Sequence, residues 1–260
     1  MSPISIPGKV RLQQTWQLAD SDAAAYVAAV EAADGQALEP SIRFAIHSFV
    51  LGCKTDGIWD AIKASCILAG ARTLSGALVP LKGTAPTNNN FVSGDYNRKT
   101  GLVGNGSTKY LDSNRSLNAD PQNSIHIAAY ATVYPAVTTY MMGAGSGANG
   151  AVVIGYNNNS FARCRSYTAD SFGSNTAGLI GISRSTSINY DFRVGQSTAA
   201  FVRASETSPA LNHSIFGSDT VTGARFTGRL SFYSIGEHLD LALLDTRVST
   251  LMTDLGAAIP

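Results

Sequence analysis

A chain of 260 residues with 44% hydrophobic and 14% charged side chains can bury a large core, and its solubility must rest on Ser, Thr, Asn and Gly more than on ion pairs. A formal net charge of +1 leaves no global field to gather nucleic acid or an anionic membrane. Three cysteines, Cys53, Cys66 and Cys164, have no CxxC spacing; they exclude a disulfide framework and fit small buried hydrophobes in a chain made in a reducing cytoplasm.

Residues 1–19 read as an N-terminal arm. Pro3 and Pro7 forbid regular helix there, and Ile4 and Ile6 alternate as in an extended segment. An arm lying on a neighbouring subunit and a frayed terminus both fit. The opening MSPISIPGKVRLQQTW has no apolar h-region, so no secretory signal is expected. No run of 18 apolar residues occurs, so no membrane span is expected either.

Residues 20–81 read as a helical segment and linker. Asp20 or Ser21 can cap a first helix that stops at Asp34-Gly35. Pro40 suits the first turn of a second helix, with Ile42, Ala45, Ile46, Phe49 and Val50 as its buried stripe and Gly52 as its end. A third helix is expected from Thr55 or Asp56 to about Gly70, containing Ile58, Trp59, Ile62 and Cys66.

From about Thr73 the period changes from helical to alternating. In residues 187–194, Ile188, Tyr190, Phe192 and Val194 oppose Ser187, Asn189, Asp191 and Arg193. In residues 124–134, Ile125, Ile127, Ala129, Ala131 and Val133 oppose His126, Tyr130, Thr132 and Tyr134. Residues 226–235 alternate likewise. Weaker strand candidates are 139–144, 152–156, 161–167, 178–183, 199–204 and 213–217. They recur about every 10–14 residues with Gly, Asn or Ser between them, which predicts a sandwich or barrel. After Gly236 a last helix is expected, with Asp240 as its cap and Leu241, Leu244, Val248, Leu251 and Leu255 as a stripe packed on the sandwich.

Two motifs carry a resemblance. Residues 82–118, KGTAPTNNNFVSGDYNRKTGLVGNGSTKYLDSNRSLN, are dense in turn residues, and the run from Gly101 to Asp112 reads as two turns and a short strand. The stretch resembles the opening of laminin-G-like, concanavalin-A-like jelly rolls in bacteriophage virion proteins. The run FYSIGEHLDLALLD, residues 232–245, resembles their closing element, where the last strand passes into a helix. The helical zone resembles segments that precede this domain in phage tail-region proteins. Between the motifs, around residues 140–225, nothing is closely similar. The resemblance implies a mainly β fold: a jelly-roll sandwich over residues 82–260, preceded by a helical segment and closed by a C-terminal helix. It implies a non-catalytic virion protein, made in the host cytoplasm: a tail or head fibre, spike or decoration protein. Its expected partners are other virion proteins and host surface carbohydrate, and a homotrimer is expected because such fibres are commonly threefold.

The chemistry-bearing residues give no catalytic or cofactor site. The chain has four Glu residues, Glu31, Glu39, Glu206 and Glu237, and lacks the Glu-x-Asp-x-x-Glu strand of laminarinase-type glycosidases. Asp191 stands alone on a polar strand face, and Asp240 reads as a cap. A carbohydrate-active enzyme, a depolymerase or glycosidase, is the alternative. His47, His126, His213 and His238 form no HxH or HxxxH set for zinc, and His126 is expected at the surface or an interface. No Gly-x-Ser-x-Gly elbow sits at a strand-to-helix turn, and residues 143–150 (GAGSGANG) lack the Gly-Lys-Ser/Thr of a phosphate loop. Calcium stays open, with Asp95, Asn97, Asp112, Asn114, Asn118 and Asp120 as oxygen ligands in a loop-rich zone. Tyr134, Tyr140, Tyr156, Tyr167 and Phe172 are the aromatics expected near loops for stacking on sugars.

Overall fold

The first two helices form where the sequence supplies both a start and a stop. The computed structural model describes residues 19–135, 137–145, 150–156, 159–174, 176–218 and 224–260, with the backbone alone at 152 and 154–156. All but the last residue of the expected arm, and residues 146–149 of the Gly-rich run, lie outside the described residues. Helix α1 (Ser21–Asp34) begins at the Asp20 carboxylate, which accepts from the backbone N–H groups of Asp22 and Ala23. It stops at Gly35, whose φ of 70° is left-handed. Helix α2 (Pro40–Thr55) buries the stripe expected of it, from Ile42 to Val50. It does not end at Gly52. That residue lies inside the helix because Arg247 crosses there: a Cβ would meet the Arg247 Cδ at 2.8 Å. Arg247 in turn pairs with Asp56 just past the helix end, at 2.7 Å.

The expected third helix is not formed. The chain turns after α2, and Ile62–Ile67 is strand β1, antiparallel to the last strand of the chain. Residues IKASCI suit a strand with isoleucine at both ends, and the pairing available from the closing strand overrides the local helical spacing. A strand of the sandwich therefore comes from the stretch expected to be helix. A single helical turn follows, α3 (Leu74–Ala77), capped by Thr73.

The other strands are β2 (Thr87–Asn89), β3 (Tyr96–Asn97), β4 (Gly101–Val103), β5 (Tyr110–Ser116), β6 (Ile125–Val133), β7 (Thr139–Ala144), β8 (Ala151–Tyr156), β9 (Asn159–Cys164), β10 (Asp170–Ser174), β11 (Gly178–Arg184), β12 (Asn189–Val194), β13 (Ser197–Val202), β14 (Asn212–Ile215) and β15 (Arg229–Gly236). Among the described residues they form two antiparallel sheets. One has the order β13-β12-β11-β6-β15-β4-β3, with β1 as a further partner of β15; the other runs β10-β9-β8-β7-β14-β5-β2. The run from Gly101 thus opens as a strand and not as a turn.

The sheets enclose one core, built from Ile125, Ile127 and Ala129 of β6, Tyr190 and Phe192 of β12, and Leu111 and Ile215 of the facing sheet. A second core lies on the other side of the eight-stranded sheet. There helix α4 (Leu241–Ala258) begins at the Asp240 carboxylate and buries Leu241, Leu244, Val248, Leu251 and Leu255. They pack with α1, α2 and the outward side chains Ala128, Leu179 and Phe232. Each fully buried leucine contributes roughly 2 kcal/mol, and the stripe has no exposed seam left for a coiled coil. The molecule is thus a jelly-roll β-sandwich with helices layered on one sheet.

That layering corrects one expectation. His126 is fully buried, because the face of β6 it shares with Tyr130 turns toward the rest of the chain and not toward water. Its ring nitrogens contact the Glu237 carbonyl at 2.5 Å and the Ser234 hydroxyl at 2.7 Å. Burial lowers its pKa to about 4, so the ring is neutral near pH 7. Ile188 is also misplaced by the alternation: it precedes β12 and is 64% exposed.

Candidate functional site

The residues of the opening motif hold the fold together. Arg98 reaches back to the helical layer, bonding both Glu39 carboxylate oxygens (3.2 and 2.9 Å) and the carbonyls of Gly70 and Ala71. Tyr96 donates its hydroxyl to the Ala71 carbonyl at 2.7 Å. Asp95 is buried, pairs with Lys109 and accepts from the Val92 N–H. Lys82 lies with its Nζ 4.3 Å from the centroid of the Trp59 ring, while Trp59 donates to Asp22. That indole is consumed by the chain's own cations and is 5% exposed, so it offers no platform to a sugar.

The six calcium candidates do not converge. Asp120 pairs with Arg115, Asn97 accepts from the N–H groups of Lys99 and Thr100, and Asn118 meets Ser116. Asn114 adopts a positive φ of 55° and bonds the Ala85 carbonyl. Each serves its own turn, and among the described residues no group of three His, Cys, Asp or Glu side chains could hold a metal. All three cysteines are buried free thiols; burial pushes Cys53 and Cys66 up to about 12 and Cys164 to about 11, which leaves them unreactive near neutrality.

Of the aromatics singled out for sugar stacking, Tyr167 is exposed at 77%. Tyr134 packs edge-on to Phe226, and Phe172 packs against Phe192 and Phe201. Tyr140 is half-buried, and Tyr156 lies outside the residues whose side chains are described. A half-buried polar platform lies elsewhere, and it uses an aromatic that alternation alone did not single out.

That platform is a cavity of about 350 Å³ on the seven-stranded sheet, lined by Tyr110, Asp112, Leu211, Asn212, Ser214 and Arg225. Its geometry follows from strand period. Tyr110 and Asp112 are two apart on β5, Asn212 and Ser214 two apart on β14, and Ser214 stands opposite Asp112 in the antiparallel register. The intervening Leu111, His213 and Ile215 are fully buried. The four polar or aromatic side chains line the cavity together, Ser214 at its buried end and across a register shift from Asn212. Asp112 is turned toward the Asn114 N–H (2.8 Å) and the Asn212 amide (3.3 Å), which orients the latter.

Arg225 closes the cavity. Its guanidinium carbon lies 3.8 Å from the centroid of the Tyr110 ring, a cation–π stack that fixes both groups. It is 7% exposed, and Nη1 has no hydrogen-bond partner. Burial pushes its pKa down from the ordinary guanidinium value. Gly217 makes room for it: a Cβ there would lie 2.5 Å from Nη1. Neighbouring His213, inside the sandwich, has both ring nitrogens unpartnered and is held neutral by burial, with its pKa lowered to about 3.

A second cavity, of about 300 Å³, lies at the start of α4 and is lined by Ser185, Asp191, Thr198, His238, Asp240 and Leu241. Asp191 is not alone there. Burial raises its carboxyl pKa, His238 opposes that rise and Asp240 adds to it. Asp240 is already committed to the Ala242 and Leu243 N–H groups, and Glu237 pairs with Lys63. Sequence distance hid both cavities: one joins β5 to β14 and the other joins β12 and β13 to the start of α4, and single-strand spacing cannot bring such residues together.

No family model matches the chain, and no curated protein sequence matches it. Solved structures do. The binding domain of botulinum neurotoxin serotype D is similar at a TM-score of 0.52 and 11% identity, over 74% of this chain and 51% of that one. The receptor binding domain of a botulinum neurotoxin C/D mosaic serotype is similar at 0.53 and 10% identity, again over 74% and 51%. Trypanosoma rangeli sialidase is similar at 0.52 and 12% identity, over 76% of this chain and 33% of that one. The chain thus spans between a third and about half of the length of these structures. At such identities the likeness is one of fold, and the fold is the jelly-roll β-sandwich.

Proposed function

We propose that the chain is a non-catalytic structural protein of a bacteriophage virion, a tail or head fibre, spike or decoration protein, whose sandwich adheres to host surface glycans. The observation that carries the adhesive part is the Tyr110–Arg225 cavity. It combines a half-buried aromatic, an amide, a hydroxyl, a carboxylate and a guanidinium in about 350 Å³, a volume suited to one or two sugar rings. Asp112, Asn212 and Ser214 can exchange hydrogen bonds with sugar hydroxyls, and the apolar edge of Leu211 can cover a ring face. The virion part is supported by the resemblance of residues 82–118 and 232–245 to phage jelly rolls. Part-buried pairings such as Arg98 with Glu39 tie the first of these motifs to the helical layer. Assembly as a homotrimer, with other virion proteins as neighbours, belongs to the same proposal.

The adhesive reading is tested by applying the full chain to an array of bacterial surface glycans. Binding that disappears in Asn212→Trp, which fills the cavity, supports it; binding that survives the substitution places the ligand elsewhere. Mass spectrometry of purified particles tests the virion role, which fails if the chain is missing from them.

A second reading, a carbohydrate-active enzyme, is favoured by the raised pKa of Asp191 beside Asp240 and His238. A carboxyl whose pKa is raised by burial is a feature general acids share. Release of reducing sugar from a host polysaccharide, abolished by Asp191→Asn, would establish it. The commitment of Asp240 to capping leaves the second carboxylate without freedom to act, which is why adhesion is preferred.

A further inference from the structure

Among the described residues four arginines are buried: Arg165, Arg184, Arg193 and Arg225. Arg193 has its charge paired, and Arg165 and Arg184 donate to several backbone carbonyls each, although Arg165 Nε and Arg184 Nη2 have no hydrogen-bond partner. Arg193 pairs with Asp245 at 2.7 Å. Arg184 donates to the carbonyls of Cys164, Thr186, Asn189 and Arg203 at 2.9–3.1 Å. Arg165 donates to the carbonyls of Leu117, Asp120 and Pro121. Arg225 differs. Among the described residues no carboxylate pairs with it, its Nη1 lacks a hydrogen bond, and the face of Tyr110 supplies a cation–π contact. An ionised group taken out of water without a partner is costly, and each such group in a folded protein calls for an explanation.

We infer that the ligand of the Tyr110–Arg225 cavity is an acidic glycan, one whose sugar carries a carboxylate that pairs with Arg225; this rests on the adhesive reading given above. Three features favour a carboxylate. The guanidinium presents a planar fork that matches a carboxylate bidentately, and stacking on Tyr110 holds that plane in one orientation. Gly217 leaves the space that seats the buried Nη1, so the guanidinium lining the cavity is held by packing and not left on a mobile side chain. Asp112, the one carboxylate among the described residues lining the cavity, is turned to Asn114 and Asn212, and its remaining lone pairs can accept sugar hydroxyls while Arg225 takes the acid group. A sulfate ester has the same charge but three equivalent oxygens, and it would use the fork less fully.

The experiment uses the full chain and three forms of one polysaccharide: polygalacturonate, its carboxyl-reduced neutral form, and a sulfated derivative of that neutral form. Binding to polygalacturonate, with roughly tenfold or greater loss on carboxyl reduction, is the expected result. Arg225→Met should remove that preference, and Arg225→Lys, which keeps the charge and loses the fork, should restore it in part. Equal binding of the acidic and neutral forms overturns the inference while leaving an adhesive cavity standing. Tighter binding of the sulfated form overturns the choice of carboxylate. Failure of all three, together with silence across the glycan array, sinks the adhesive reading itself. Because no carboxylate among the described residues pairs with Arg225, and methionine keeps an apolar contact with the Tyr110 ring, Arg225→Met should fold with its melting temperature unchanged or raised; a large drop would mark the arginine as a structural strut and contradict a ligand role.

Discussion

Arg193 and Arg225 are equally buried, each 7% exposed, yet they stand in opposite electrostatic situations. Arg193 lies beneath the helical layer. Its Nε and Nη2 bond Asp245 of α4 at 3.0 and 2.7 Å, Nη1 bonds Thr198, and Ser249 donates to the other Asp245 oxygen. Arg225 lies on the seven-stranded sheet, stacked on one ring, with Nη1 unpartnered and no carboxylate among the described residues paired to it. A buried charge with all its donors used ties two elements together. A buried charge with donors left over makes the fold less stable than it could be, and a bound anion can recover that loss. The helix-covered face reads as architecture, and the face with the Tyr110–Arg225 cavity reads as the working surface.

The contrast can be broken in several ways. The largest effect is expected from removing the covered face altogether. A chain beginning at residue 82 lacks α1, α2 and β1, which strips β15 of a partner and exposes Phe232, Leu244 and Leu251 to water. It should show no cooperative thermal transition by circular dichroism; a sharp melt near that of the full chain would show that the helical layer is dispensable. Next comes Asp245→Ala. Breaking a buried pair strands the remaining charge, so urea unfolding should report a loss of about 3–5 kcal/mol. A loss below about 1 kcal/mol would mean that Arg193 finds water instead.

A smaller, graded effect concerns pH. Burial holds His126 and His213 below the ordinary histidine value, at about 4 and about 3. Between pH 6.5 and 4 the unfolded chain therefore binds protons that the folded chain refuses, and stability falls as pH drops through that window. The paired carboxylates Asp20, Asp56 and Asp95 are shifted downward and contribute only below about pH 4, so they do not mask it. The urea midpoint should decline steadily from pH 7 to 4.5, and less steeply in His126→Gln; a flat profile would show that water reaches both rings. The smallest effect is expected from Arg225→Met, within about 1 kcal/mol of the parent or above it, against the several kcal/mol of Asp245→Ala. Equal losses in the two variants would erase the distinction between the faces.

Most of the architecture was legible in the sequence because it is written in local signals. Asp20, Gly35, Pro40 and Asp240 punctuate the helices where expected, and alternation located β6, β7, β11 and β12 to within a residue or two. The failures have a common cause. Ile62–Ile67 became a strand, and His126 a buried ring, through the partners they meet more than 100 positions away, β15 for the one and Ser234 and Glu237 for the other. The cavity was hidden for the same reason. Tyr110 and Asp112 lie inside the motif that marks the family resemblance, but Asn212, Ser214 and Arg225 come from the region where no resemblance was seen. A guanidinium without a partner cannot be recognised until all possible partners are placed.

The central claim is that ligand is held on the seven-stranded sheet by β5, β14 and Arg225. Hydrogen–deuterium exchange of the full chain with and without polygalacturonate tests it directly. The account predicts slowed exchange in peptides covering residues 110–116 and 210–217, with residues 185–191 and 238–242 unchanged. Protection confined to those last two segments, around Asp191 and Asp240, would contradict it and move the function to the other cavity.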